Sequence, residues 1–300
     1  MKDEHVLVNG IRVHCVCAGT GELVLFLHGF PEFWYAWKRQ LAEFGGERLA
    51  VAVDLPGYNL SDKPAEVERY RAAALIEDVR ACAEHFRQGR PFVLVGHDWG
   101  GALAWGFALA HPELLARLVI INAPHPAIFA RLLASDPAQQ AASQYMHRLR
   151  EAGAEQVLAR DQYARLSAII VDPLLKSGAF TEADRAAYLA AWSQPGALTG
   201  GLNYYRASRL LPPERGRTGA QASAGGGGGT AARDMTVRVP TLVIWGERDT
   251  ALLTSNLAGL EAFVPELTVQ RIPAGSHWVV HECPDAVNAA IHAFLGPAAR

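Results

Sequence analysis

Residues 96–101 read Gly96-His97-Asp98-Trp99-Gly100-Gly101 and follow directly on the apolar run Pro91-Phe92-Val93-Leu94-Val95. Ala102-Leu103-Ala104-Trp105 come next. A strand that meets Gly-x-Asp-x-Gly and then small residues has to turn sharply into a helix. A turn of that outline lifts one side chain clear of the backbone, usually a serine. Here the apex holds a carboxylate. As a nucleophile, aspartate attacks alkyl carbon and becomes an alkyl ester, so hydrolysis breaks a different bond from the one broken on serine. The plainer reading of Asp98 is a helix N-cap. A cap does not call for glycine on both sides, whereas close approach of backbone and substrate does. At a helix N-terminus in a dry pocket, a carboxylate stays ionised while shedding much of its solvation.

The surrounding chain reads as layers of strand and helix. His5 to Val8, Asn9-Gly10 and Ile11 to Cys17 form a hairpin pattern with an Asn-Gly turn. Short apolar runs follow at Leu23 to Leu27, Leu49 to Val53, Phe92 to Val95 and Leu118 to Ile121, and later at Thr241 to Trp245 and Leu267 to Ile272. Such runs predict strands buried on both faces of a parallel sheet. Between them lie helical patterns, clearest at Ala73 to Phe86, where Leu75, Ile76, Val79, Cys82, Ala83 and Phe86 share a face. This alternation predicts an α/β fold with right-handed crossovers.

It stops after Asn122-Ala123-Pro124. From His125 to Leu211 the pattern is helical, and strand signals resume at Val239-Pro240-Thr241. The expected organisation is a core over 1–124, a helical cap over 125–211, a Gly-rich tether over 212–235 and the rest of the core over 236–300. Gly225 to Gly229 are five glycines in a row, which hold no single conformation cheaply. No Gly-Lys-Ser/Thr follows them, so a phosphate loop is not expected.

Composition narrows the partners. The 300 residues are 50% hydrophobic and carry a formal net charge of −2 without a basic block. Nucleic acid and membrane surfaces are not expected partners. No apolar run approaches the ~18 residues of a membrane span, and Met1 to His5 lack a signal-peptide core. Cys15, Cys17, Cys82 and Cys283 read as small hydrophobes rather than metal ligands or a disulfide framework. The expectation is a soluble, cytoplasmic protein, monomer or homodimer.

Open α/β sheets bind ligands beyond the carboxyl ends of their strands. The residues there are His28-Gly29-Phe30-Pro31-Glu32, Asp54-Leu55-Pro56-Gly57-Tyr58, the Asp98 turn, Gly246-Glu247-Arg248-Asp249 and Ala274-Gly275-Ser276-His277-Trp278. A nucleophile, an acid and a histidine therefore share one sheet edge, in the chain order of Ser/Asp/His hydrolases. His277 needs a partner for its second ring nitrogen; Asp249 and Glu247 both stand at the preceding strand end. The backbone N–H groups of Phe30 and Trp99 would face an oxyanion on Asp98. His28 and His97 read as loop braces, and His125 and His281 have no assigned part.

These pieces, with Asn122-Ala123-Pro124 and Asp54 to Pro64, resemble the cap-bearing epoxide hydrolases of the α/β-hydrolase superfamily over nearly the whole chain. The resemblance implies a mostly parallel eight-stranded sheet with flanking helices and an inserted helical cap, and it favours Asp249 over Glu247. Family epoxide hydrolases use two cap tyrosines that protonate the epoxide oxygen. Gly200-Gly201-Leu202-Asn203-Tyr204-Tyr205-Arg206 is similar to their Gly-x-Leu-Asn-Trp-Tyr-Arg signature, which maps one tyrosine to Tyr205. The other normally lies four residues before Phe-Gln-x-Pro-Gly. Its match is Tyr145, although Leu149-Arg150-Glu151-Ala152-Gly153 replaces Phe, Gln and Pro. The plainer reading of both tyrosines is cap packing. Phe30, Pro31, Trp99, Tyr204 and Trp278 are the expected substrate-pocket residues.

The resemblance thus implies a hydrophobic epoxide substrate, an ester on Asp98, a diol product, and no metal or organic cofactor. Two alternatives stand beside it. A haloalkane dehalogenase would use the same aspartate, and Trp99 suits halide binding, but its second donor is replaced by Phe30. A non-catalytic ligand-binding member of the superfamily would have no need of a base behind the nucleophile.

Overall fold

The computed structural model describes residues 1–214 and 234–297. The expected tether glycines, Gly225 to Gly229, lie outside the described residues.

The hairpin joins β1 (Lys2–Val8) to β2 (Ile11–Ala18), with Val6 opposite Val13. Asn9 and Gly10 both take positive φ, 46° and 86°, as a two-residue turn matching strand twist requires. The remaining strands are β3 (Leu23–Leu27), β4 (Leu49–Val53), β5 (Phe92–His97), β6 (Leu115–Ile121), β7 (Thr241–Gly246) and β8 (Leu267–Ile272). They form one eight-stranded sheet in the order β1-β2-β4-β3-β5-β6-β7-β8. Only the β1/β2 and β2/β4 pairings are antiparallel.

Successive strand residues sort into two cores, as the period of two demands. Leu25, Leu27, Leu94 and Ile120 face one side with Leu75, Val79 and Phe107. These last three come from the helices Ala72–Phe86 and Trp99–Ala110. Val24, Phe26, Val95 and Val119 face the other side with Leu41, Phe44, Val287 and Ile291, from the helices Lys38–Phe44 and Pro284–Leu295. β3, β5 and β7 are buried along their whole length, as expected of strands covered on both faces. β8 is not. Thr268 to Arg271 are exposed. This strand is the sheet edge, paired with β7 alone, and its Thr, Gln and Arg tolerate water.

Between β6 and β7 the described residues are helical or irregular, from Pro126–Ser135 to Ala197–Ala207. The helix Glu182–Trp192 starts with a reciprocal capping box between Thr181 and Asp184. The helix Ala154–Leu166 is broken at Asp161, Gln162 and Tyr163, all at positive φ.

The chain leaves β3 for β4 on one side and returns to β5 on the other. Between β3 and β5 the loops therefore diverge at the carboxyl edge and open a crevice. The β3 loop carries Phe30 and the β5 turn carries Asp98.

Candidate active site

Asp98 follows β5 directly and adopts φ 51° and ψ −121° before the helix Trp99–Ala110 begins. A non-glycine residue there costs of order 1–3 kcal/mol, so its surroundings must hold it. Two glycines show how closely they do. A Cβ on Gly29 would lie 2.2 Å from Asp98 Oδ1, and one on Gly100 would lie 2.2 Å from the Leu27 carbonyl oxygen. Both positions admit only hydrogen.

The two carboxylate oxygens have different neighbours. Oδ1 accepts the Phe30 backbone N–H at 2.8 Å. Oδ2 lies 3.7 Å from His277 Nε2, too far for a hydrogen bond. Trp99 opens the helix, so its amide is among the first N–H groups that the helix itself leaves free.

His277 Nδ1 donates to Asp249 Oδ2 at 2.7 Å. Asp249 is buried and held on three further sides. Asn122 Nδ2 donates to Oδ2 at 2.8 Å, and the Ala251 and Leu252 amides donate to Oδ1 at 2.8 and 2.9 Å. The same Asn122 accepts the Gly246 amide at 2.7 Å, tying β6 to β7. Glu247, the rival acid, points elsewhere and pairs with Arg271. Asn122 follows β6 immediately, so the rule of reading the residue past each strand finds it when that strand is included.

Burial opposes the charged form of His277, but Asp249 first, then Asp98 and Glu32, outweigh it and hold the imidazole pKa up to about 9. Burial likewise opposes ionisation of Asp249, and His277 and its donors overcome this and lower its pKa. The unperturbed histidine value is 6.5. The His277 side of this pair contributes stability that is complete below pH 6.5 and disappears as pH rises through about 9, while the Asp249 side is lost only in acid, as pH falls below the ordinary carboxylate range. Thermal melts of the wild type and His277→Gln at pH 6 and pH 10 check this. The wild-type advantage is expected to be larger at pH 6; an advantage that grows with pH would refute the assignment.

The other histidines brace the site. The Leu55 amide donates to His28 Nε2 at 3.0 Å, so Nδ1 carries the proton and donates to the Gly29 carbonyl at 2.8 Å. His97 Nε2 donates to the His277 carbonyl at 2.9 Å, and its Nδ1 lies 3.2 Å from Glu32 Oε2. His281 Nε2 and Tyr188 Oη both reach Glu32 Oε1, at 2.6 and 2.9 Å. Glu32 is fully buried; burial opposes its charge, yet His281 and His97 hold its pKa well below the usual range. Motif reading missed this cluster because its members come from four separate segments. His125 stacks on Phe263 and donates to the Met235 carbonyl; burial lowers its pKa to about 4.

A cavity of about 90 Å³ opens over Asp98, lined among others by Trp99, Phe129, Tyr145, Met146, Tyr205 and Leu252. Tyr145 and Tyr205 thus meet at one wall, with ring centroids 6.2 Å apart. The Tyr205 ring stands edge-to-face on Trp99 at 5.1 Å and on Phe30 at 5.5 Å. Burial, then the Asp98 charge, raises the Tyr145 pKa; burial, then Tyr145 and Asp98, raises that of Tyr205.

Of the expected pocket residues, Trp99 lines this cavity. Tyr204 does not: its hydroxyl donates to the Pro56 carbonyl at 2.9 Å. On a helix, adjacent residues point about 100° apart, so Tyr204 and Tyr205 cannot both face the site. Trp278 turns its indole N–H to the Ile169 carbonyl at 3.0 Å. Phe30 and Pro31 line a smaller space with Trp192, whose indole donates to the Pro31 carbonyl.

The four cysteines are free thiols; Cys15 and Cys82 are buried with their sulfurs 3.7 Å apart. No cluster of three or more His, Cys, Asp or Glu suited to a metal ion occurs among the described residues. No helix among them is long and apolar enough to cross a membrane.

A mostly parallel sheet with a turn-borne aspartate, a late acid and a late histidine defines an α/β-hydrolase. The chain belongs to the alpha/beta hydrolase fold family, whose model matches residues 22–284. It is 35% identical to Epoxide hydrolase 4 of Mus musculus, across 96% of this chain and 77% of the mouse protein. It is 36% identical to the AB hydrolase superfamily protein YfhM of Bacillus subtilis (strain 168), across 98% of each. Among solved structures it superposes with TM-score 0.87 and 34% identity on a mutant epoxide hydrolase from Bacillus megaterium complexed with its product (R)-3-[1]naphthyloxy-propane-1,2-diol. That match covers 97% of this chain and 99% of the other.

Proposed function

We propose that the protein is an epoxide hydrolase that adds water to a hydrophobic epoxide through an ester on Asp98, with the helices of 125–211 serving as its cap. One observation carries this reading: a single cavity is lined by Asp98 and by both Tyr145 and Tyr205. The relatives named epoxide hydrolases, at about a third identity over nearly the whole chain, support it.

Asp98 Oδ2 is the free oxygen, so it attacks one epoxide carbon. The C–O bond breaks, and its electron pair stays on the epoxide oxygen, which takes a proton from Tyr145 or Tyr205. The ester's carbonyl oxygen is then Oδ1, already seated on the Phe30 amide. His277 takes a proton from water, and the resulting hydroxide attacks Cγ of Asp98. Negative charge develops on Oδ1, where the Phe30 and Trp99 amides stabilise it. Collapse expels the alkoxide, which takes a proton from the imidazolium; the tyrosine regains its own from solvent. The added hydroxide leaves Asp98 as a carboxylic acid, which gives its proton to solvent and balances the one the tyrosine takes up. Epoxide and water have become a diol, and Asp98, His277 and the tyrosine are restored.

The 3.7 Å between His277 and Oδ2 suits this sequence, since direct hydrogen bonding would compete with attack. A dehalogenase would need a second halide donor near Trp99, where Phe30 presents only a ring. The test is a panel of aryl and alkyl epoxides beside 1-haloalkanes, scored for diol and for halide. Diol without halide is expected. Halide release without diol would overturn the proposal, and ligand-induced thermal shift without either product would mark a binding protein.

A further inference from the structure

The second tyrosine helix departs from its family pattern where Arg150 stands in place of glutamine. The departure has a structural consequence. In the short helix Tyr145–Arg150, the Arg150 guanidinium Nη1 donates to the Tyr205 carbonyl at 2.6 Å and to the Ser208 carbonyl at 2.7 Å. Tyr205 lies in the last turn of the helix Ala197–Ala207, where its carbonyl accepts the Ser208 amide at a long 3.3 Å and has a lone pair to spare, and where the helix dipole is negative. Two residues on the same side of the Tyr145 helix extend the grip. His147 Nε2 donates to the Pro212 carbonyl at 2.9 Å, and Gln144 Nε2 to the Pro213 carbonyl at 2.9 Å. These two hold chain beyond the cavity wall. Arg150 holds the backbone of Tyr205 itself and of Ser208, both of which line the cavity.

We propose that Arg150 is a positioning residue for the tyrosine pair, its guanidinium tying the helix that begins at Tyr145 to the backbone carbonyls of Tyr205 and Ser208. The proposal rests on the epoxide-hydrolase reading above. The two hydroxyls must converge on one epoxide oxygen, yet they stand on separate helices joined by no shared turn. A backbone-to-backbone spacer is what keeps them in register. Among the described residues Arg150 has no carboxylate partner, so the carbonyls are what the cation is there to hold. Burial lowers its pKa, consistent with a charge kept by dipoles rather than by a counter-ion. Arg206 supports the arrangement from the other side by pairing with Glu155 at 2.6 Å.

Arg150→Met keeps the aliphatic stem and removes the donors. A misplacement of about 1 Å can cost about 100-fold, so ester formation on Asp98 from styrene oxide is expected to slow about 10- to 100-fold. Hydrolysis of the ester once formed, measured in the same single turnover, should stay within about twofold, because it does not use the tyrosines. Arg150→Lys should recover part of the loss. His147→Ala removes a contact on the same helix without touching Tyr205; it should lower the melting temperature while leaving ester formation near wild type. The proposal is overturned if both half-reactions of Arg150→Met slow together, if neither slows, or if His147→Ala slows ester formation as much. A wild type that forms no ester refutes the underlying function instead. That outcome is distinct from an ester whose formation ignores Arg150.

Discussion

In His277→Gln, styrene oxide is expected to leave Asp98 as a stable ester, visible in intact mass as the addition of one whole epoxide. Nothing that forms the ester involves His277. Asp98 Oδ2 is free, Oδ1 rests on Phe30, and the tyrosines line the same cavity. Hydrolysis, by contrast, needs a proton removed from water beside Cγ, and His277 is the group within reach. Loss of a general base costs about 10²- to 10⁴-fold, so steady-state turnover should fall by that factor while the first turnover stays fast. The mass is itself diagnostic: an ester formed from a haloalkane would lack the halogen, whereas an epoxide adds in full. A second measurement locates the attack. One turnover of wild type in ¹⁸O-water should place label in the Asp98 carboxylate, because hydroxide adds to Cγ and Asp98 surrenders its own oxygen to the diol. Label appearing only in the diol would mean direct attack on the epoxide, and Asp98 would then not be the nucleophile.

The charges around His277 fit this order of events. In the free protein Asp249 and Asp98 both help to hold its proton, up to about 9. Ester formation neutralises Asp98. One of the two nearest anions is then gone, and His277 releases its proton more readily at the stage where a base is needed. Hydrolysis should accordingly lose rate toward acid with an apparent pKa below about 9.

Much of this site was legible because it sits at strand ends. A buried run and the turn residues that follow it are local signals; they located Asp98 and His277 without knowledge of strand order and narrowed the acid to Glu247 or Asp249, between which the family resemblance chose. The hairpin, the six later strands and the apolar face of Ala72–Phe86 were legible for the same reason, since each is a short-range periodicity. The misreading of β8 shows the limit: sheet position, not residue pattern, decides whether a strand is covered. The pocket assignment of Tyr204 failed on helix geometry, which puts only one of two adjacent tyrosines on the cavity. Glu32, His97, His281 and Tyr188 come together only when β3, β5, the helix after β8 and the cap are packed, so no spacing announces them. Arg150 was visible only as a departure from a pattern. Its partners are backbone carbonyls, which carry no residue identity to read.

The remaining large effect falls on the tyrosines. Tyr205→Phe and Tyr145→Phe should each slow ester formation about 10²- to 10³-fold, the usual loss for one donor to a developing oxyanion, and the double variant should leave no measurable ester. Removing one hydroxyl leaves the other on the same oxygen; removing both leaves an alkoxide in an apolar cavity with nothing to stabilise it. The pH dependence separates this acid role from packing. An ordinary phenol is half ionised near pH 10, but burial and the Asp98 charge push both tyrosines upward. The protonated, donating forms therefore persist past pH 10. The measurement is cleanest in His277→Gln, where ester formation is the only reaction and no imidazole titrates beside the nucleophile. There its rate should stay level from pH 8 to pH 10. A decline centred below pH 10 would mean that at least one hydroxyl is wet and titrates freely, contrary to its place in the wall. A level profile that survives in the double variant at undiminished rate would remove the tyrosines from the chemistry, and packing against Trp99 and Phe30 would be their whole contribution.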